Sequence, residues 1–325
     1  MKTIAFYGRH LGLRGTEVSM YDYAHFNEEI LKNESIIIYP HDSPYNDETV
    51  IKKFKNRFDK IFTISIADET KVIEQIDEIL LKNNCTHFYT QKMGLNDGIY
   101  TKVCKSLILC CASCFNPWKE KHGDRYAFIS YWLSKHCSNS EFPVVPYIVD
   151  LPNIDDNLRT ELNIPQNAIV FARNGGLDSW DIPWVNDVII QCLKENELIY
   201  FLFQNTPNFY THPRIIHVPP TADLNFKTKF INTSDALLHA RHTGESFGLT
   251  CAEFSIRNKR VITFQGSPER NHIDILADKA LYYNNPSELL DILLNFEPDN
   301  SIDWNCYKNY TPEKVMNIFD KVFLN

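Results

Sequence analysis

Asp235-Ala-Leu-Leu-His-Ala240, followed by Arg241-His-Thr243, by Gly244-Glu-Ser-Phe-Gly-Leu-Thr-Cys-Ala-Glu253 and then by Lys259-Arg-Val-Ile-Thr-Phe264, is the stretch on which the fold turns. Two short apolar runs flank a small-residue turn and a helical periodicity from Phe247 to Ile256. Ser246 reads as the N-cap of that helix, and Gly248 as the place where a ligand can approach the backbone. A strand end, a turn and a helix N-terminus make a site for an anion, because unpaired amides and the helix dipole both favour negative charge. Glu245 lies in the turn, where it can meet a neutral polyol. Glu253, eight positions on, can accept hydrogen bonds from a ribose diol. The plainer reading of the pair is a capping acid and a solvated helix residue.

Outward from this stretch the same alternation covers the chain. Strands are expected at Thr3–Tyr7, Ser35–Tyr39, Ile61–Ile66, His87–Thr90, Ser106–Cys111 and Tyr126–Ser130, with helices such as Thr16–Leu31 and Glu69–Leu81 between them. After Ala168 the pattern starts again, with strands through Ile199–Phe203, Arg214–Val218 and Ala280–Tyr283 and helices including Val185–Glu195, Asp223–Ile231 and Pro286–Phe296. Alternating strands and helices predict parallel sheets covered by helices. Between the halves, Phe142–Pro152 holds three prolines in eleven residues, cannot be helix and reads as a linker. The expectation is an α/β protein of two Rossmann-like domains, 1–145 and 146–325, with the last helix (311–323) able to pack back on the first domain. Ligands would bind at the carboxyl edges of the sheets.

The segment Asp235–Phe264 resembles the E-x7-E region of the GT-B fold glycosyltransferases, in particular the large retaining family four; Arg260-Val-Ile stands where that family has Pro-Val-Ile. The resemblance implies a GT-B architecture with a cleft between the domains. It also implies roles: Glu245 on hydroxyls of the donor sugar, Glu253 on the nucleotide ribose, and Ser246, Phe247, Gly248, Leu249 and Thr250 around the distal phosphate. In Phe171-Ala-Arg-Asn-Gly-Gly-Leu-Asp-Ser-Trp180, Arg173 matches an arginine that neutralises the donor pyrophosphate, with Gly175 beside it. The family's lysine position is Ser179, so a second cation is needed to compensate a diphosphate leaving group. Arg241 is the first candidate and Arg14 the next. Tyr7-Gly-Arg-His-Leu-Gly-Leu-Arg-Gly-Thr-Glu17 resembles the glycine loop of the acceptor-side domain, with Gly15 and Thr16 facing the donor phosphates. The family's histidine over the donor sugar has no counterpart in Cys110-Cys-Ala-Ser-Cys-Phe115, and His122 is the replacement candidate. For Arg173, the glycine loop and His122 the plainer readings are a loop arginine, a tight turn and a solvated histidine.

The activity implied is transfer of a sugar from a nucleotide-diphosphate donor, UDP- or GDP-linked, to a glycan or other hydroxyl acceptor, with retention of configuration. A non-catalytic nucleotide-sugar or glycan-binding module is the alternative, and an oxidoreductase or epimerase is disfavoured because G-x-G-x-x-G is absent. With 33 Lys plus Arg against 41 Asp plus Glu and a net charge of −8, no footprint for nucleic acid is expected, and no strong membrane association. The N-terminal apolar run is shorter than a signal h-region, and nine cysteines are an odd count, so a reducing, cytoplasmic setting is expected. Cys104, Cys110, Cys111 and Cys114 read as buried strand residues, with metal binding as the other reading. His239 and His242 do not share a face and no D-x-D occurs, so no essential metal and no cofactor are expected.

Overall fold

The two runs of β-branched and aromatic residues become two separate parallel sheets. The computed structural model describes residues 1–113, 120 and 122–325. The chain divides into two units, one of residues 1–148 with 309–325 and one of residues 149–308.

In the first unit the elements are β1 (Thr3–Tyr7), α1 (Gly15–Glu29), β2 (Glu34–Pro40), α2 (Glu48–Arg57), β3 (Ile61–Ile64), α3 (Val72–Lys82), β4 (His87–Lys92), β5 (Lys105–Cys110), β6 (Arg125–Phe128) and α4 (Tyr131–Ser138). The six strands are parallel in the order β3-β2-β1-β4-β5-β6. Ile36, Ile37 and Ile38 are all fully buried. Helices cover both faces, which is why such strands read as continuous apolar runs rather than as alternation. Asp47 caps α2 by accepting from the Thr49 and Val50 amides, and Ser130 caps α4 from Leu133; neither helix stands out in the sequence.

The proline-rich segment touches the sheet at a single residue and packs into the first unit. Val144 bridges Phe128 in parallel, the Tyr23 hydroxyl donates to the Pro146 carbonyl at 2.7 Å, and Val145, Tyr147 and Ile148 are buried. The boundary expected at 145/146 therefore falls at 148/149. Residues 309–325 belong to the first unit. There the C-terminal helix Pro312–Phe319 sets the Phe319 ring 5.2 Å from that of Tyr23 and 5.7 Å from that of Tyr89.

The second unit contains β7 (Ile169–Asn174), α5 (Trp184–Glu195), β8 (Ile199–Gln204), β9 (Ile215–Val218), α6 (Leu224–Thr233), β10 (Ala236–His239), β11 (Gly244–Glu245), α7 (Leu249–Ile256), β12 (Arg260–Phe264), β13 (Glu269–Arg270), α8 (Asn271–Leu276), β14 (Leu281–Tyr283) and α9 (Pro286–Leu294). Its sheet runs β14-β12-β10-β7-β8-β9, and β11 pairs with β13 apart from it. Read from β9, this repeats the order of the first unit. Both sheets reverse direction of winding at one place, between β1 and β4 and between β7 and β10. Open α/β sheets bind ligands outside the carboxyl ends of strands at such switch points. The loops that leave β1, β7 and β10 there contain Gly8–Gly15, Gly175–Trp180 and Arg241–Thr243.

All eight described cysteines are free. Cys110 is buried in β5, while Cys104 and Cys111 are half-buried; Cys114 lies outside the described residues. Among the described residues no three His, Cys, Asp or Glu side chains gather as metal ligands, and no helix is long and apolar enough to cross a membrane.

Candidate functional site

At the carboxyl end of β10 the chain makes two left-handed residues in quick succession, Gly244 at φ +79° and Gly248 at φ +89°. Between them Gly244 and Glu245 pair with Glu269 and Arg270. This pairing holds the chain extended through Glu245, so the helix starts at Leu249 rather than at Phe247. Gly248, not Ser246, is its N-cap, and no side chain caps it. The start of α7 therefore has no side-chain cap, the condition that an anion site at Leu249 and Thr250 would need. Phe247 is buried, and its carbonyl accepts from Asn271 Nδ2 at 3.0 Å.

Glu245 is the charged centre of this edge. His239 Nε2 lies 3.1 Å from Oε1, and Arg241 Nη1 lies 3.0 Å from Oε2. Burial alone would raise the carboxyl, but the hydrogen bond from His239, together with the Arg241 charge, holds it down at about 2. Glu245 is an anion with one edge toward each partner and a side chain that remains 19% exposed. Arg241, the second-cation candidate, is thus paired inside the site, and its guanidinium pKa is raised: burial opposes this, and the Glu245 charge outweighs burial.

Behind His239 stands a polar chain. Its Nδ1 is 2.9 Å from Thr263 Oγ1, which is 3.1 Å from His272 Nε2. Both ring nitrogens of His239 thus have partners within the protein. Burial, and then the neighbouring His239, hold the His272 imidazole down at about 3 against an ordinary 6.5. Between those values the unfolded chain takes up a proton at this position and the folded chain does not. Stability therefore falls as pH falls through that window, by at most about 1.4 kcal/mol per pH unit. Glu245, depressed from 4.5 to about 2, adds a loss of its own only below pH 4.5. We expect His272→Leu to flatten the decline between pH 6.5 and 5 relative to wild type, as read by urea unfolding midpoints.

Arg173, the penultimate residue of β7, is only 3% exposed. Its Nη1 donates to the Asn205 carbonyl at 2.7 Å and to Thr206 Oγ1 at 2.6 Å, and its Nη2 donates to the Gly176 carbonyl at 2.6 Å and to Ser179 Oγ at 2.8 Å. Burial brings the guanidinium down to about 10. Here Ser179 stands where the resemblance calls for a lysine, and the geometry says why serine suits: a second cation would face the Arg173 charge, whereas a hydroxyl accepts from it. Asn205 Nδ2 closes the ring of contacts on the Gly175 carbonyl at 2.8 Å. Arg173 thus ties the loop after β7 to the loop after β8. We expect Arg173→Ala to cost unit two on the order of 3 kcal/mol in chemical unfolding. Arg173→Lys should recover only part, because one ammonium cannot span both loops.

Glu253, on α7, is buried and accepts from Lys227 Nζ of α6 at 2.8 Å. Nothing in the sequence singled out Lys227, which is twenty-six residues away and meets Glu253 only through the packing of α6 on α7.

The first unit presents the start of α1, where Arg14 is an extended N-cap offering no side-chain cap. Gly15 opens the helix, and the Thr16 hydroxyl donates to Glu17 Oε1 at 2.8 Å. Glu17, not singled out by sequence, is 6% exposed, and burial pushes its carboxyl up to about 7. His122 is turned inward, 1% exposed, with Nδ1 2.7 Å from the Glu120 carbonyl and its ring against Tyr126. Expected on a loop open to a ligand, it is instead packed into the first unit.

The sequence matches no protein-family profile, and no curated protein matches it. Solved structures do match. A glycosyltransferase from Rickettsia africae superposes at TM-score 0.71 with 16% identity, covering 100% of this chain and 99% of its own. HepE from Anabaena in complex with UDP-glucose superposes at TM-score 0.70 with 11% identity over 99% of this chain and 96% of its own. Sucrose-phosphate synthase from Thermosynechococcus elongatus does so at 0.65 with 11% identity over 98% and 95%. With its two six-stranded parallel sheets, the chain has the GT-B fold of these structures.

Proposed function

We propose that this chain is a glycosyltransferase that moves a sugar from a nucleotide-diphosphate donor to a hydroxyl acceptor. The observation that carries the reading is the turn from Gly244 to Leu249, where a fixed carboxylate stands beside a helix start that no side chain caps. A sugar hydroxyl donates to Glu245, and the distal phosphate takes the amides of the first turn of α7. Glu253 receives the ribose, already oriented by Lys227. Anabaena HepE, which shares the fold, was solved with UDP-glucose, which supports a UDP-linked donor. Retention of configuration, in the manner of family four, rests on the Glu245-to-Glu253 spacing alone. The reading includes a cytosolic, metal-independent reaction in which side chains and helix ends carry the leaving-group charge.

Mechanistically the protein supplies electrostatics and position. The charge developing on the diphosphate is met by oriented amides, with Arg173 holding the adjoining loops in place and Arg241 on the far side of Glu245. The sugar is aligned by Glu245 so that the acceptor hydroxyl approaches in register.

The internal commitments of Arg173 and Arg241 favour a second reading, a non-catalytic nucleotide-sugar-binding module. One experiment separates the two. Purified protein is titrated with UDP, GDP, ADP and CMP and their sugars by thermal shift, since a ligand of the native state raises the melting temperature. The best donor is then assayed for transfer and hydrolysis. Binding with turnover supports the enzyme, binding without it supports the module, and no binding overturns both.

A further inference from the structure

We propose that Thr263 and His272, neither of which touches the ligand-facing turn's charge directly, are positioning residues that set the orientation of the Glu245 carboxylate through His239. The inference rests on the reading of Glu245 as the sugar-facing group.

The register of the sheet builds the first link. His239 and Thr263 are direct partners on β10 and β12, so their side chains leave the same face, and Thr263 Oγ1 meets His239 Nδ1 at 2.9 Å. The second link comes from α8, held against the 245–248 turn by Asn271 on the Phe247 carbonyl. It places the His272 ring 5.0 Å from that of His239 and its Nε2 3.1 Å from Thr263 Oγ1. Thr263 and His272 are fully buried.

Donor and acceptor counting then leaves one direction. His272 Nδ1 is buried without a partner, and an orphaned lone pair is better tolerated there than an orphaned N–H. His272 therefore carries its proton on Nε2 and donates to Thr263. With its oxygen accepting, the Thr263 hydroxyl donates to His239 Nδ1. That leaves the His239 proton on Nε2, where it donates to Glu245 Oε1 at 3.1 Å. Every donation runs toward the carboxylate. Without the hydroxyl, His239 Nδ1 loses its donor and the imidazole is held from the Glu245 side alone, so the carboxylate loses the fixed brace that orients it.

The test compares Thr263→Val with Thr263→Ser. The valine variant should lose at least about tenfold in kcat, with donor KM and UDP affinity within about twofold of wild type. The serine variant, which keeps the hydroxyl, should restore kcat. Full activity in the valine variant, or equal loss in both, overturns the proposal. Nitrogen-15 imidazole spectra provide a readout independent of transfer: His239 should show the Nε2–H tautomer with a hydrogen-bonded Nδ1 in wild type and in Thr263→Ser, and an Nδ1 shifted to the position of an unbonded imidazole nitrogen in Thr263→Val. An Nδ1 signal in Thr263→Val that is unchanged from wild type, or a wild-type proton found on Nδ1, refutes the relay. If wild type transfers no sugar while the tautomers behave as stated, the functional reading fails and the relay stands.

Discussion

Glu245→Ala should lower sugar transfer by about a hundredfold to a thousandfold, the scale on which enzymes lose rate when one preorganised polar group at the reacting centre is removed. The carboxylate is ionised at any working pH, since it is held at about 2, and both its oxygens are fixed by cations or N–H donors on one side. Its remaining lone pairs are oriented before any sugar arrives, so no reorganisation is required during reaction. Alanine removes that anchor and releases Arg241 from its ion pair beside the proposed phosphate site. Nucleotide affinity is therefore expected to hold or rise while transfer falls. The structural cost is a lost partner for each of His239 Nε2 and Arg241 Nη1; the buried donor is worth about 1–3 kcal/mol, and the guanidinium, a third exposed, adds less because water reaches it. Single-turnover rates with saturating donor, alongside a melting curve, check this. A folded alanine variant transferring at the wild-type rate would remove Glu245 from the site.

Gly244→Ala should unfold or severely destabilise the second unit, by at least about 3 kcal/mol. Two independent penalties meet at this residue. Its φ of +79° is one that a side chain rarely adopts. A Cβ added there would also run into the Glu269 carbonyl oxygen and sit 2.6 Å from Ser267 Cβ. Backbone cannot swing aside as a long side chain would, because Glu269 is held by the pairing of β11 with β13 and its amide donates to the Thr243 carbonyl at 2.9 Å. The contrast is Gly176, where the nearest atom to an added Cβ is Ser179 Oγ at 3.5 Å; alanine should be tolerated there. Urea unfolding of the two variants side by side decides the matter, and a Gly244→Ala protein as stable as Gly176→Ala would contradict the close approach.

Most strands were legible because they are buried on both faces and so read as unbroken apolar runs; Ser35–Tyr39 lies within the observed Glu34–Pro40. Helix α2 was not, since its Lys52, Lys53, Lys55, Asn56 and Arg57 leave only Val50, Ile51 and Phe54 for burial, too thin a stripe to recognise. The cap of α7 was misplaced to Ser246 because the pairing of Gly244–Glu245 with Glu269–Arg270 joins residues twenty-five apart, and no local pattern announces it. Lys227, Thr263 and His272 were invisible for the same reason. Each is an ordinary element residue by its neighbours and gains its place only through a helix or strand packed alongside.

By itself the sequence determined the alternation of elements, hence two parallel sheets, and the turns at which chemistry is concentrated, because periodicity and glycine act over a few residues. It also determined that acids and arginines would stand in those turns. What only the tertiary structure decided is how they are used. Sheet order puts the turns after β1, β7 and β10 at switch points. The packing of β12 and α8 against β10 surrounds Glu245 with His239, Thr263 and His272. Burial turns Arg173 into a brace between loops and sets His122 inward. Charge state and hydrogen-bond direction depend on neighbours distant in the chain, and which neighbours those are is decided only when the chain is packed.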